Sequence, residues 1–439
     1  MDDPLPSGPL AAAPAPPPHG LWSNPDFLKL WSGQTISELG SRITREGLPW
    51  TAVLTLHAGS VQMGLLSAVG GVAVLLFGLV AGVWVDRLPR RPILIAADLG
   101  RALLLATIPA AAVAGMLGLG QLYAVAALAG VLTVFFDVAY QSYLPALVAG
   151  GQLLEGNSKL TLSSSIAEVA GPGLTGWLVQ RLTAPIAILF DAVSFAISAL
   201  LVGSIRKPEP PAGSGPTPGP AGASPPGPLA DAGPEIERLL DRALAGLRWI
   251  FADPLLRALG LRSATAYFCH GIFGSLYILY AVAVLGLRPA TLGLVIALGG
   301  AAAMAGAVLS EPLARRCGRG ATFLVTWTVY GLATLMIPLA GAFPAHAVAL
   351  LAAAQLGDMA LTIYGINEVT LRQEIAPPAV LGRVNAGMLL LARGVLPAGA
   401  LAGGFLAAWI GIRATLAVAT GGLLLSTLWL LAPPLRRLR

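Results

Sequence analysis

Twelve apolar stretches, each long enough to cross a lipid bilayer, follow one another along the chain. A membrane-spanning helix needs about 20 predominantly apolar residues. Charged residues make up only 11% of the 439 residues, whereas an average soluble domain has about 25%. So little charge cannot cover a soluble protein of this size, and the sequence predicts an all-α membrane protein. The predicted spans are 28–56, 61–85, 92–115, 119–147, 153–181, 185–204, 255–285, 289–313, 321–341, 346–374, 384–410 and 413–432.

The positions of the basic residues predict the orientation in the membrane. The net charge is +6, and the basic residues lie in short clusters between apolar stretches, which indicates membrane topology rather than nucleic-acid binding. If the N-terminus is cytoplasmic, the outer segments hold only Arg181, Arg288 and Arg413, and most other basic residues lie on the inner side. We therefore expect a multi-pass protein of the bacterial inner membrane with both termini in the cytoplasm.

A segment rich in proline, glycine and serine divides the apolar stretches into two sets of six. Residues 206–234 cannot form a hydrophobic core. Residues 235–250 predict an amphipathic helix on the inner membrane surface or, alternatively, a soluble linker helix. The predicted parts are a disordered tail (1–26), an N-terminal six-helix bundle (27–205), a cytoplasmic linker (206–250), a C-terminal six-helix bundle (251–433) and a basic tail (434–439).

Matching residues indicate that the two halves repeat one design. Arg87 and Arg315 follow the second and eighth stretches. Asn157 and Asn385 open the fifth and eleventh stretches, at the same separation in sequence. A parallel repeat of two six-helix halves is common among secondary transporters.

Several stretches resemble one transporter family. GVWVDRLPRRP (82–92) resembles the signature between helices two and three of the major facilitator superfamily, with Pro89 where glycine is usual. AGPGLTGW (170–177) is similar to the helix-five motif of its antiporter branches. FFDVAYQSYLPALV, DAVSFAISALL and LRQEIAPPAVLGRVNA are similar to the branch with macrolide efflux proteins and the enterobactin exporter. The resemblance covers residues 28–432 and implies two pseudo-symmetric six-helix bundles with a substrate site between them.

The motif GPGLTG in the fifth stretch also matches the glycine pattern of a dinucleotide-binding turn. Such a turn follows a β-strand and opens a helix, whereas these glycines lie within a long apolar stretch. The motif is therefore predicted to bend the helix and to admit a close neighbour, with ordinary small-residue packing as the alternative. By resemblance to the antiporters, the bend seals the outer side. The predicted hinge residues are Gly171, Pro172, Gly173 and Gly176.

The sequence contains no nucleotide-binding P-loop and no HExxH zinc motif. We expect neither a cofactor nor a metal ion, and without ATP hydrolysis in this chain transport must use a gradient or a partner protein. Proton coupling needs a carboxylate whose proton affinity changes with its surroundings, and ionisable residues at membrane depth are functional candidates. The candidate proton carriers are Glu168, one turn before Pro172, together with Asp358, Glu46 and Glu38.

Charged residues of the first stretch form a stripe. Glu38, Arg42 and Glu46 recur every four residues, so they share one helix face and can form ion pairs. The stripe faces a central cavity in one interpretation and forms a static salt bridge in the other. The candidate substrate-binding residues are Arg42, Tyr267, His270, Tyr277 and Thr362, with core packing as the alternative for the residues of the seventh stretch.

By resemblance to the family, a cytoplasmic gate holds the outward-open state together. Asp86 would cap and pair with groups at the N-terminus of the eleventh helix. Asp137 would lie in the inner half of the fourth helix, within reach of Arg87 or Arg91. The predicted gate residues are Asp86, Arg87, Arg90, Arg91 and Asp137.

These features predict a monomeric secondary active transporter that exports amphipathic small molecules, of the drug or siderophore type, against protons by alternating access. Its partners would be the substrate, protons and the lipid bilayer, and not nucleic acid. One alternative is an uncoupled facilitator for lipids or metabolites. The other is a membrane-embedded lipid enzyme, which we do not expect because no loop carries a catalytic cluster.

The predicted topology places Gly213 in the cytoplasm. A single cysteine at this position, with Cys269 and Cys317 replaced by serine, should react with an impermeant thiol reagent only after the membrane is permeabilised. Labelling in intact cells would contradict the predicted orientation.

Overall fold

The computed structural model describes residues 20–85, 87–148, 150–209 and 244–431, and the regular secondary structure within them is helical. The gate candidate Asp86 and both chain ends lie outside these residues. The long helices are α1 (Pro25–Leu54), α2 (Ser60–Val85), α3 (Arg90–Val113), α4 (Leu119–Leu147), α5 (Leu153–Arg181), α6 (Ala184–Gly203), α7 (Pro254–Val284), α8 (Pro289–Cys317), α9 (Arg319–Ala340), α10 (Pro344–Ile375), α11 (Pro378–Ile410) and α12 (Ile412–Leu430).

Ten of these helices are long and apolar enough to cross a membrane. The other two, α1 and α5, are more polar because they carry much of the predicted charge, including Glu38, Arg42 and Glu168. Both pack on neighbouring helices, since α1 packs on α5 and α6 and α5 also packs on α8. The predicted all-α membrane fold is confirmed.

The first helix of each half begins in the same way. The Asn24 side chain accepts hydrogen bonds from two backbone amides in the first turn of α1, at 3.1 and 3.2 Å. The Asp253 side chain does the same for α7, with both distances at 2.8 Å. Pro25 and Pro254 follow, at a position where a helix does not need the amide hydrogen.

Helix packing repeats between the halves. In the first half α1 packs on α5 and α6, and α3 packs on α4 and α6; in the second half α7 packs on α11 and α12, and α9 packs on α10 and α12. The pair α2–α4 likewise corresponds to α8–α10. The two predicted pseudo-symmetric six-helix bundles are therefore confirmed.

The halves meet along two helix pairs, α2 with α11 and α5 with α8. Small residues allow the backbones to touch at one end of these pairs. A Cβ atom at Gly64 would lie only 2.6 Å from the Ala400 carbonyl oxygen, and one at Gly176 would overlap the Pro289 carbonyl oxygen. Farther along α2, Gly78 and Gly82 face open space. The bundles therefore close at the predicted outer side and diverge toward the predicted cytoplasmic side.

The short segments before the first helix of each half pack on the rest of the protein. Leu21 is fully buried, and its amide donates to Glu155 Oε1 at 3.2 Å, so residues 20–24 are ordered although they fall in the predicted tail. Residues 244–252 form a helix whose Ile250 is fully buried. Gly246 and Gly387 bring this helix against the backbone of α11, so the described part of the predicted amphipathic helix packs one face on the second half.

The close contact between α5 and α8 can be tested with two alanine variants, one of which serves as the control. Gly176→Ala places a Cβ on the Pro289 carbonyl oxygen, whereas a Cβ at Gly173 meets only Ala297 at 3.9 Å, an ordinary contact. We expect Gly176→Ala to shift the population toward open outer ends. Pulsed electron paramagnetic resonance between spin labels at positions 181 and 288 should show longer distances in Gly176→Ala and unchanged distances in Gly173→Ala. Equal distances in both variants and in the parent would refute this description of the seam.

Candidate functional site

A cavity of about 330 Å³ lies where α1 and α5 of the first half meet α8 and α10 of the second. We call it the interface cavity. It combines charged side chains with small and apolar ones, so it offers both ion pairing and apolar contact. Its lining residues are Arg42, Arg45, Glu46, Glu168, Pro172, Ile296, Gly299, Gly300, Ala303, Asp358, Leu361 and Thr362.

Arg42 connects two of the candidate proton carriers. Its Nη2 lies 3.1 Å from Glu38 Oε1 on the same helix, and its Nη1 lies 3.4 Å from Glu168 Oε1 on α5. The Arg42 side chain is 12% exposed and that of Glu168 is 62% exposed, so Glu168 reaches into the open cavity. Gly171 makes this contact possible, because a Cβ there would overlap the Cβ of Arg42.

Asp358 approaches the same cavity from the second half. Its Oδ2 lies against Gly299 of α8, where a Cβ atom would overlap it. The adjacent Gly300 lies against Val169 of α5, the residue after Glu168. Asp358 forms no ion pair with any described residue, and the nearby charge of Glu168 repels it. Glu168 and Asp358, one from each half, thus share a cavity at the seam.

The stripe on α1 continues into the interface cavity. Glu46 lines it, as the four-residue spacing predicts, and Arg45 lines it as well. Arg45 is not among the predicted site residues, because it does not fit the four-residue spacing of Glu38, Arg42 and Glu46. It lies three residues after Arg42, so it borders the same face of α1 and reaches the cavity as well.

A second cavity of about 280 Å³ lies within the first half, between α1, α4 and α5. We call it the polar cavity, since almost all of its lining side chains are capable of hydrogen bonding or carry charge. Glu38 belongs to this cavity, and Ser164 Oγ donates to Glu38 Oε1 at 3.4 Å. The lining residues are Gln34, Thr35, Glu38, Asp137, Tyr140, Gln141, Asn157, Leu160, Thr161, Ser163 and Ser164.

Three candidates on α7 lie outside both cavities. Tyr277 is 8% exposed and packs on Phe273 with ring centroids 4.9 Å apart. His270 Nε2 lies 2.6 Å from the Tyr330 hydroxyl, and its Nδ1 lies 2.9 Å from the Ala266 carbonyl oxygen, so both ring nitrogens have partners. Tyr267 is 39% exposed beside His270. Tyr277 and His270 thus fit the alternative in which they pack in the protein core. Thr362, in contrast, lines the interface cavity.

Three of the predicted gate residues, Arg90, Arg91 and Asp137, have other surroundings than the predicted gate. The Arg90 and Arg91 amides donate to the two oxygens of Glu209, at 2.7 and 3.1 Å, so this carboxylate caps α3. The Arg91 side chain donates to the Gly203 carbonyl at the end of α6. Asp137 lines the polar cavity instead of joining Arg91. Glu209 was not predicted, because it lies in the proline-rich linker and carries no helical pattern.

The first half contains a buried arginine that sequence analysis did not identify. Arg101 forms an ion pair with Asp98 on α3, and neither side chain is more than 5% exposed. Its guanidinium lies 4.4 Å from the ring centre of Phe136 and 4.0 Å from that of Phe195. The three-residue spacing of Asp98 and Arg101 in the sequence is compatible with an ion pair on one helix. The aromatic rings belong to α4 and α6, so the sequence gives no sign of their contact with Arg101.

The second half repeats this arrangement with other residues. Arg262 of α7 pairs with Glu368 of α10, and both are buried. The guanidinium lies 4.3 Å from the ring centre of Trp327 and 4.1 Å from that of Tyr364. Both buried arginines are paired and stacked, so they are suited to holding helices together rather than to carrying protons.

Comparison with known proteins identifies similar transporters. The family model described as Major Facilitator Superfamily matches residues 30–395. The multidrug efflux pump Tap of Mycolicibacterium fortuitum is 28% identical over 408 residues, covering 91% of this chain and 93% of that protein. The nucleoside transporter NupG has a similar fold, with a TM-score of 0.71 at 12% identity, over 94% of this chain and all of that one.

A bacterial homologue of the iron transporter ferroportin has been solved in two states. The inward-facing structure gives a TM-score of 0.69 at 18% identity, over 92% of this chain and 98% of that one. The outward-facing structure gives a TM-score of 0.54 at 19% identity, also over 92% of this chain and 98% of that one. The fold described here is thus more similar to the inward-facing arrangement, in agreement with halves that close at the predicted outer side.

Removing one partner of the buried pair in α3 should destabilise the protein. Asp98→Asn leaves the Arg101 guanidinium buried without a counter-charge, which costs about 3–5 kcal/mol. Titration with a denaturing detergent in mixed micelles would measure the free energy of unfolding. The double variant Asp98→Leu/Arg101→Met should regain most of the loss, because no buried charge remains. Parental stability of Asp98→Asn would contradict a stabilising ion pair.

Proposed function

The chain belongs to the major facilitator superfamily, and we propose that it exports amphipathic small molecules in exchange for protons. The family and the apolar helices make it a multi-pass membrane transporter rather than an enzyme. One observation carries the proposal: Glu168 of the first half and Asp358 of the second face the same cavity at the seam between the halves. The proposed location is the inner membrane, with a monomer whose two termini are cytoplasmic.

The geometry supports alternating access. The two carboxylates belong to different bundles, so rocking one bundle on the other changes their separation and their contact with water. In the arrangement described here, α5 and α8 touch at Gly176 and Gly293, which is the predicted outer end of this pair. The opposite arrangement would expose the same cavity to the outside and lengthen the Glu168–Asp358 separation.

Charge balance supports exchange between a proton and a substrate. An unpaired carboxylate at membrane depth is costly, and Arg42 already divides its charge between Glu38 and Glu168. Arg45 and Glu46 also line the cavity and add one charge of each sign. Asp358 therefore gains from a proton or from a cationic group of a substrate, and the two compete for it. Ile296, Ala303 and Leu361 supply the apolar contact for the remainder of the molecule.

The available driving force is sufficient. For a neutral substrate, entry of one proton through the membrane potential is worth about 2.3 kcal/mol per 100 mV, which sustains about a fifty-fold concentration ratio. Exchange of one proton for a monovalent cation moves no net charge, so the pH gradient drives it. The relative Tap is described as a multidrug efflux pump, which supports export as the direction. This chain would then remove drug-like or siderophore-like compounds from the cytoplasm.

One contact favours an uncoupled facilitator as the second candidate. Arg42 lies 3.4 Å from Glu168, and a carboxylate that stays paired with an arginine carries no proton. A facilitator for a lipid or metabolite would use the same interface cavity without a change in protonation.

The variant Glu168→Gln separates these two functions. The amide mimics the protonated acid, so we expect exchange of tetraphenylphosphonium across proteoliposome membranes to persist and transport driven by a pH gradient to fall at least tenfold. Glu311→Gln is the matched control, because Glu311 lies at the inner end of α8 with a side chain that is 73% exposed.

The Glu168→Gln experiment has three outcomes, and each supports a different role for Glu168. Loss of pH-driven transport with exchange retained, in Glu168→Gln alone, supports proton coupling. Equal activity of Glu168→Gln and Glu311→Gln in both assays supports the uncoupled facilitator. Loss of folded Glu168→Gln protein from the membrane would make the contact with Arg42 a structural one.

A further inference from the structure

Of the two arginines that line the interface cavity, Arg45 is the one without a close partner among the described residues. Arg42 divides its charge between Glu38 and Glu168. Arg45 forms no ion pair in the described ranges, and its exposed side chain faces the open volume of the cavity. A guanidinium remains charged in proteins, and a charged side chain at membrane depth is costly and is a functional candidate. The charge of Arg45 therefore requires another explanation than an ion pair.

The carboxylates around Arg45 do not cancel its charge at close range. Glu46 follows it directly in α1, and adjacent side chains on a helix do not face each other. Glu46, Glu168 and Glu38 attract the guanidinium only from beyond ion-pair distance. Arg42 adds a second positive charge nearby and repels it. The α8 residues that line the cavity are uncharged, so a positive charge persists on this side of the cavity.

The helix contacts give the depth of Arg45 below the closed outer contact. α5 and α8 touch at Gly176 and Gly293, and Arg42 lies against Gly171 of α5. A helix rises about 1.5 Å per residue, so Gly171 and Arg42 lie about 7.5 Å below the level of Gly176. Arg45 is three residues closer to the predicted outer end of α1, and it therefore lies only about 3 Å below that level.

Asp358 lies deeper in the protein than Arg45. It contacts Gly299 of α8, which is six residues farther toward the predicted inner end than Gly293, a distance of about 9 Å along the helix. Glu168, whose carbonyl oxygen faces the next residue of α8, shares this lower level. From the outer side inward, a fixed positive charge thus comes before the two candidate proton carriers.

From this order of charges we propose that Arg45 is an electrostatic barrier, which keeps protons and other small cations from passing between the outer side and the two carboxylates while the outer contact is closed. Backbone contact at Gly176 excludes a substrate, but a proton can move along a chain of water molecules through a much narrower gap. A fixed arginine charge opposes such movement, as it does in selective pores.

This inference rests on the proposed proton exchange, because a proton leak past the outer contact would dissipate the gradient that drives the exchange. The barrier acts only in the closed arrangement. When the outer ends of the bundles separate, water reaches Arg45 and weakens the field of its charge. A cationic substrate that enters from the inner side reaches Asp358 before it comes near Arg45.

Proton leak into substrate-free proteoliposomes tests the proposal. Trapped pyranine would report the internal pH after an external acid pulse, with the membrane potential clamped by valinomycin and equal potassium. After subtraction of the leak into protein-free liposomes, we expect Arg45→Gln to leak at least tenfold faster than the parent. Arg45→Lys keeps the charge and should stay within twofold of the parent. Arg45→Met, an apolar replacement, gives the same test if Arg45→Gln does not insert.

Arg181→Gln is the matched control, because it removes a positive charge from the exposed outer end of α5. It should leave the proton leak within twofold of the parent. Glycerol entry, followed by light scattering, distinguishes a charge barrier from an opened contact, since glycerol is small and neutral. We expect glycerol to enter vesicles of the parent and of each variant at the same rate.

Three results would overturn the barrier. One is a proton leak in Arg45→Gln equal to that of the parent, and another is an equally fast leak in Arg45→Lys. The third is faster entry of both protons and glycerol in Arg45→Gln, which would mean that Arg45 holds the helices together.

The parent protein separates this inference from the proposed function. Accumulation of tetraphenylphosphonium by the parent in response to a pH gradient, together with a parental leak rate in Arg45→Gln, would support the exchange and overturn the barrier. A proton leak that is specific to Arg45→Gln, with no such accumulation by the parent, would support the barrier and contradict the proposed exchange.

Discussion

A guanidinium within a membrane protein needs counter-charges or water, and Arg42 obtains counter-charges from two helices. Glu38 lies one turn away on α1, and Glu168 lies on α5. This arrangement requires α1 and α5 to approach closely, which Gly171 permits because it has no side chain. The charged stripe of α1 is thereby held inside the protein, and both cavities are arranged around it.

The contact between the halves determines how those charges are used. Backbones touch at Gly64 on one side and at Gly176 on the other, so the bundles are joined at one end and can separate at the other. The pair Gly299 and Gly300 then lets Asp358 and α5 approach neighbouring faces of α8. Rocking of the bundles therefore alters the surroundings of Glu168 and Asp358 together, which is the physical basis of the proposed coupling.

The sequence predicted the fold well because apolar length, basic clusters and helical spacing are local signals. It also selected Glu168, Asp358 and Glu46, which the structure places in one cavity, since charge at membrane depth is visible in the sequence. Contacts between distant helices leave no such signal. The hydrogen bond from Tyr330 to His270 and the capping of α3 by Glu209 depend on side chains that meet only in the folded protein.

Accumulation of tetraphenylphosphonium by proteoliposomes of the parent protein tests proton exchange most directly. The membrane potential must be clamped at zero with valinomycin and equal potassium, because this cation also responds to voltage. Proton-coupled exchange predicts accumulation inside vesicles with an acidic interior, through protein molecules of the matching orientation, and its collapse when nigericin removes the pH gradient. Equal concentrations on both sides, whatever the pH gradient, would contradict the coupling mechanism.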